Sequence, residues 1–137
     1  MHLRPYLTFN GQCAEAMAYY QSILGGKLDV LRFRDIPDMP SPPEAGDLVM
    51  HARLVAGDHI LMASDAMPGQ PYAGMHGFGV TLAYDTAEEA RRAFAKLATG
   101  GQIGMPMEKT FWAEAFGMVT DRYGTPWLIN GHLLPAM

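Results

Sequence analysis

An internal repeat constrains this chain of 137 residues more than any other feature. Sliding the sequence along itself by 75 residues (Leu7 onto Leu82) brings Phe9 onto Tyr84, Asn10 onto Asp85, Ala18 onto Ala93, Tyr19 onto Phe94 and Gly25-Gly26 onto Gly100-Gly101, without a gap. A repeat of this kind means one supersecondary unit built twice. Each copy opens on a short alternating apolar stretch, Tyr6-Leu7-Thr8-Phe9 and Val80-Thr81-Leu82-Ala83-Tyr84, the pattern of a strand with one buried face. A helix follows in each. Asn10 in one copy, and Asp85 or Thr86 in the other, are placed to accept from the free N–H groups of a first turn, and Thr86 with Glu89 fits a capping box. Ala16, Tyr19, Tyr20 and Ile23, then Ala90, Phe94 and Leu97, recur at the spacing of an apolar helix face. Both helices should stop at Gly-Gly, where a residue without Cβ takes the left-handed conformation.

Three further strand-like runs follow each helix: 27–34, 48–55 and 59–64 in the first copy, 102–108, 116–121 and 126–130 in the second. These later strands align at a shift of 67 residues (Gly57 onto Gly124), with Leu61 on Leu128 and Met62 on Ile129, because the first copy carries a longer insertion at 36–47. Pro37, Pro40, Pro42 and Pro43 cannot donate ladder hydrogen bonds, so the insertion reads as a loop, or a flap over a site. A Gly/Pro-rich connector, 66–77, joins the copies. Neither copy alone buries both its helix face and its sheet face, so the reading is a single domain, 1–137, of two repeats at about 1–65 and 77–137.

The formal charge of −4 removes the electrostatic attraction that nucleic acids and anionic membranes require, so neither is an expected partner. No apolar run approaches the ~18 residues of a membrane span, and Met-His-Leu-Arg-Pro lacks a signal peptide's apolar stretch, which points to the cytoplasm. A lone cysteine, Cys13, excludes an internal disulfide and a Cys-rich zinc site. In the first helical turn it is either a thiol of lowered pKa or a small buried residue.

The doubled strand-helix-three-strand pattern resembles the glyoxalase/bleomycin-resistance (vicinal oxygen chelate) superfamily. The residues that carry the resemblance are Tyr19-Tyr20, Leu24-Gly25-Gly26 and Asp121-Arg122-Tyr123-Gly124-Thr125-Pro126-Trp127. Pro5-Tyr6-Leu7-Thr8-Phe9-Asn10-Gly11, Leu61-Met62-Ala63-Ser64-Asp65 and Thr110-Phe111-Trp112 with Phe116-Gly117 are similar to its PhnB-like subgroup, whose members are also labelled demethylubiquinone methyltransferase-like. A methyltransferase using S-adenosylmethionine would need a glycine-rich turn between strand and helix of a doubly wound sheet, and no such turn is present. The resemblance implies an α+β fold of two tandem βαβββ modules forming a curved, incompletely closed eight-stranded sheet, commonly as a homodimer.

It also implies a divalent metal held by His or Glu from the first and last strand of each half. Those positions here are Arg4 or Pro5, Ala63, Gly79 and Asn130, a poor donor set, so no metal and no cofactor is expected. The reading is a metal-independent binder of a small apolar or aromatic molecule. The alternatives are a metal-dependent lyase, isomerase or dioxygenase that recruits His51, His76, Glu114 or Asp65, and an antibiotic-sequestering protein.

Candidate ligand-binding residues are His51, Asp65, Trp112, Phe116, Trp127 and Asn130. Strand alternation puts Val49, His51, Arg53 and Val55 on one face, with Met50, Ala52 and Leu54 on the other. Asp65 either orients the His51 imidazole or caps a turn. Phe111, Trp112, Phe116 and Trp127 offer rings for a flat ligand, with His51 and Asn130 as polar anchors. Eleven methionines, among them Met50, Met62, Met105 and Met118, fill the core or line an irregular apolar site. His59 and His132 fall at a turn and near the terminus.

Overall fold

The computed structural model describes residues 1–38 and 40–135; Met39, inside the Pro-rich insertion, and residues 136–137 lie outside the described set. The chain divides into two compact units, Met1–Gly74 and Met75–Met137. Among the described residues no helix is long and apolar enough to cross a membrane.

The first unit runs β1 (Tyr6–Phe9), α1 (Cys13–Leu24), β2 (Lys27–Arg32), β3 (Val49–Ala56) and β4 (His59–Asp65). Its sheet has the order β1-β4-β3-β2, with β1 parallel to β4 and the other pairs antiparallel. Leu7, Phe9, Ala52, Leu54, Leu61 and Ala63 form the buried face, and α1 covers it with Cys13, Ala16, Met17 and Tyr20. The expected helix face is thus rotated: Tyr19 and Ile23 are only half-buried, and Met17 lies inside.

The second unit repeats the plan with β5 (Val80–Tyr84), α2 (Ala87–Ala98), β6 (Gln102–Glu108), β7 (Ala113–Thr120) and β8 (Pro126–Leu133), in the order β5-β8-β7-β6. Ala90, Ala93, Phe94 and Leu97 of α2 pack on Ala115, Val119, Trp127 and Ile129. Strand β7 begins at Ala113, before the expected 116, because Ala113 and Ala115 alternate with Glu114 in the same pleat. The eight strands therefore form two mixed sheets of four, one per module, and neither closes into a barrel.

Thr86 caps α2 as its sequence predicts, its Oγ1 accepting from Glu89 N at 3.2 Å and donating to the Glu89 carboxylate at 2.9 Å. In the first module Asn10 does not cap. The helix starts beyond it, at Cys13, and Asp65 of β4 supplies the acceptor: its Oδ1 receives Cys13 N at 3.0 Å and Gly11 N at 2.9 Å. Helix α1 ends directly at Gly25 (φ 75°), whereas α2 ends one residue earlier in the repeat, with Thr99 as its C-cap ahead of Gly100 (φ 75°). At Gly26 (φ 92°) a Cβ would strike the Val55 carbonyl, and at Gly101 the Thr120 carbonyl, which explains why Gly-Gly is doubled with the repeat.

Strand register corrects one alignment. Leu7 stands beside Ala63 in the first sheet and Leu82 beside Ile129 in the second, so the last strands superpose at 66 residues (Ala63 onto Ile129) instead of 67. A one-residue slip sends every side chain to the other face. The counterpart of Asn130 is consequently Ser64, and Ala63 points into the core under α1.

The Pro-rich insertion is tied down at its base. Phe33 N donates to Leu48 O at 3.1 Å and Arg34 N to Gly46 O at 3.1 Å, so the backbone pairing of β2 and β3 continues into it. Arg34 forms an ion pair with Asp47, Arg32 reaches the Asp47 carbonyl at 2.6 Å, and Ala45 is fully buried.

Candidate functional site

Each sheet has one face packed on its own module's helix and one turned away from that helix, called here the open face. In the second module the close approach of Gly117 to Phe94, and of Gly131 to Ala87 and Ala90, marks positions 117 and 131 as the helix side. Phe116 and Asn130, directly opposite each other in the β7–β8 register, therefore lie on the open face. Ala83 of β5 flanks Asn130 on its other side.

Trp112 sits in the turn before β7, and hydrogen bonds hold its backbone on both sides. Thr110 Oγ1 accepts from Trp112 N at 3.3 Å and from Ala113 N at 3.1 Å, while Trp112 O accepts from Leu134 N at 2.8 Å. Its ring lies edge-on to Phe116, centroids 5.0 Å apart, and to Phe111 at 4.9 Å. Phe111 is 75% exposed, whereas Phe116 and Asn130 are buried. The indole Nε1 donates to Asn130 Oδ1 at 2.9 Å. Three aromatic rings and one amide thus converge, and no sequence pattern announced the Trp112–Asn130 bond, because the partners are 18 positions apart on different elements.

Trp127 is not part of this surface. One residue out of phase with Leu128, it faces α2, is only 1% exposed, and donates Nε1 to Asp121 Oδ2 at 2.8 Å. Asp121 Oδ1 accepts from Tyr123 N and Thr125 N as well, an Asp-closed turn that the Asp-Arg-Tyr-Gly-Thr sequence already encodes. Trp127 is a core residue with no free face for a ligand.

In the first module the register slips between Leu31 and Arg32, so Val49 joins the buried face with Ala52 and Leu54, and His51 keeps the open face with Arg53. His51 Nδ1 lies 3.1 Å from the Tyr6 hydroxyl, and the two rings stack at 5.7 Å. Asp65 does not orient His51. It shares the helix-side face with Ala63 and Phe9, and its Oδ2 accepts from Val49 N at 2.9 Å while Oδ1 holds Gly11 and Cys13. Nor is the turn after β4 what it caps: its partners are the start of α1 and the start of β3, both distant in sequence. His59, His76 and His132 are exposed, as are Glu108 and Glu114, and His132 lies 3.3 Å from the Asp85 carbonyl.

Cys13 is fully buried, and its thiol is pushed up to about 12, first by burial and then by the Asp65 charge, with Arg32 opposing. The neutral thiol is therefore expected to resist iodoacetamide at pH 8 in the native protein and to react at the ordinary rate once unfolded, as read by intact mass. Because the native state keeps this proton above 9.0, where the unfolded thiol releases it, stability is expected to decline as pH rises from about 9 toward 12.

The sequence profile of the Glyoxalase/Bleomycin resistance protein/Dioxygenase superfamily matches residues 2–129. The chain belongs to that superfamily. Protein YjdN of Escherichia coli (strain K12) is 42% identical over 141 residues, 95% of each chain. The crystal structure of protein PA1353 from Pseudomonas aeruginosa shares 47% identity across 95% of this chain and 96% of its own, with a TM-score of 0.87. The PhnB protein of Bacillus cereus, described as a putative 3-demethylubiquinone-9 3-methyltransferase, shares 25% identity across 95% and 98%, with a TM-score of 0.76. These relatives place the chain in the PhnB-like subgroup of the superfamily.

The residues at the superfamily's metal positions do not fit a divalent cation. With the register corrected they are Arg4 or Pro5, Ser64, Gly79 and Asn130, and the one amide oxygen among them is already the acceptor for Trp112. Among the described residues no group of three or more His, Cys, Asp or Glu side chains is arranged to hold a metal.

Proposed function

We propose that this PhnB-like protein binds a small, flat, aromatic or otherwise apolar molecule on the open face of the second module, without a metal. The observation that supports this reading is the Phe111–Trp112–Phe116 group. Large apolar rings are normally removed from water, yet Phe111 is exposed at the end of a row of edge-on rings, with Met105 and Met118 exposed nearby on paired strands. A planar ligand laid against Phe111 and Trp112 would bury area on both. Adaptable thioethers would accept a range of outlines. His51, beside Tyr6 and Arg53 on the open face of the first module, is proposed as a separate polar contact point of that module. Pairing of two copies is proposed as well, since β6 is an edge strand with Ile103 and Met105 exposed.

Naphthalene-sized probes test the reading by calorimetry and thermal stabilisation. Saturable binding is expected in the wild type, weakened by about tenfold or more in Trp112→Ala, a loss of about 1.4 kcal/mol of contact. Absence of saturable binding by every probe, or equal binding by Trp112→Ala, refutes it.

A further inference from the structure

Asn130 is more than nine-tenths buried, and only one end of its amide is engaged. An indole N–H can only donate, so the atom facing Trp112 must be the amide oxygen. The opposite rotamer would set NH2 against N–H, two donors with no acceptor, and is disfavoured. The amide nitrogen is therefore turned away from Trp112. Among the described residues no acceptor engages it, and it is not sealed, since the interior holds no buried side-chain polar atom without a partner. Its cross-strand neighbours on this face, Phe116 and Ala83, are apolar and offer it nothing.

We propose that the Trp112–Asn130 hydrogen bond makes this position a fixed donor, so that the site selects aromatic molecules bearing a neutral acceptor oxygen, such as an aryl ketone or quinone-type carbonyl, over hydrocarbons and amines. The inference deepens the binding reading above and rests on it. Asn130 is the selecting residue, touching the ligand oxygen through Nδ2. Trp112 has two separable duties, since its ring supplies contact area and its N–H positions the amide. The chemistry also runs against cation binding, because an amide held this way presents N–H groups where the superfamily's metal would need a lone pair.

Three probes of equal ring size separate the possibilities: 1-acetonaphthone, 1-ethylnaphthalene and 1-naphthylmethylamine, each measured by calorimetry on the full chain. Wild type is expected to prefer the ketone to the hydrocarbon by ~5- to 10-fold, the worth of one neutral hydrogen bond, and to bind the amine weakest. In Asn130→Leu the ketone preference should vanish while the hydrocarbon still binds. In Asn130→Asp the carboxylate can still accept from Trp112, and its second oxygen should now favour the protonated amine. Trp112→Phe keeps a ring but frees the amide to turn, so amine binding should rise relative to ketone binding. The side-chain NH2 resonances of Asn130 should shift with the ketone and not with the hydrocarbon, a readout that a purely structural Asn130 would not produce. If wild type binds ketone and hydrocarbon alike, the donor proposal fails and the aromatic reading stands; if no probe binds, both fall.

Discussion

Replacing Asp65 with alanine is expected to cost about 3–5 kcal/mol of stability, because the carboxylate joins three separate parts of the first module and nothing in an alanine replaces its acceptors. Oδ1 holds Gly11 N and Cys13 N, where the chain leaves β1 and enters α1, and Oδ2 holds Val49 N, where β3 begins just before the bulge. An unsatisfied buried N–H costs ~1–3 kcal/mol, and Gly11, being exposed, recovers part of its share from water. The remaining loss should lower Tm by more than about 10 °C. Asp65→Asn should fall between, since one of its two acceptors becomes a donor facing a donor. Denaturant unfolding of the two variants checks this. A change of less than about 1 kcal/mol in Asp65→Ala would show that water or a shifted helix start replaces the carboxylate. The same variant removes the charge that, after burial, raises the Cys13 thiol, so alkylation at pH 9 should quicken along with the loss of stability.

Trp127→Ala is the second large effect, expected at about 3–5 kcal/mol from the cavity and the lost hydrogen bond together. Trp127 fills the space between β8 and α2 and supplies the indole donor to Asp121. Trp127→Phe keeps most of the volume and should cost less, about 1–2 kcal/mol, chiefly the hydrogen bond and the smaller ring. Trp112→Ala gives a different balance: a smaller stability loss, about 1–2 kcal/mol from the half-exposed ring and its bond to Asn130, with the main loss appearing in ligand affinity. Denaturation curves and calorimetry on the two tryptophan variants should therefore sort into a mainly stability defect and a mainly binding defect. If Trp127→Ala folds normally but loses the probes, Trp127 belongs to the binding surface after all, and its packing against α2 counts for little.

Composition, periodicity and the repeat carried the architecture. Two modules, their helices, the Thr86 cap, the Gly-Gly stops and all eight strands follow from signals confined to a few neighbouring residues, each with a local physical cause. The superfamily was legible as a resemblance, carried by Tyr19-Tyr20, Leu24-Gly25-Gly26 and the run from Asp121 to Trp127. What the chain's order of residues left open was everything that depends on phase or on distant partners. Whether Ala63 or Ser64 matches Asn130 turns on a single step of register, and only the pairing of β1 with β4 and of β5 with β8 decides it. Whether Asp65 serves His51 or a helix start depends on which side of the sheet each occupies, and the bulge in β3 is set by the β2 pairing, not by alternation. Trp112 and Trp127 are alike as letters. One is fastened in a turn beside an open face and the other is folded beneath a helix, because successive residues of a pleated strand point opposite ways and tertiary packing chooses which face is covered.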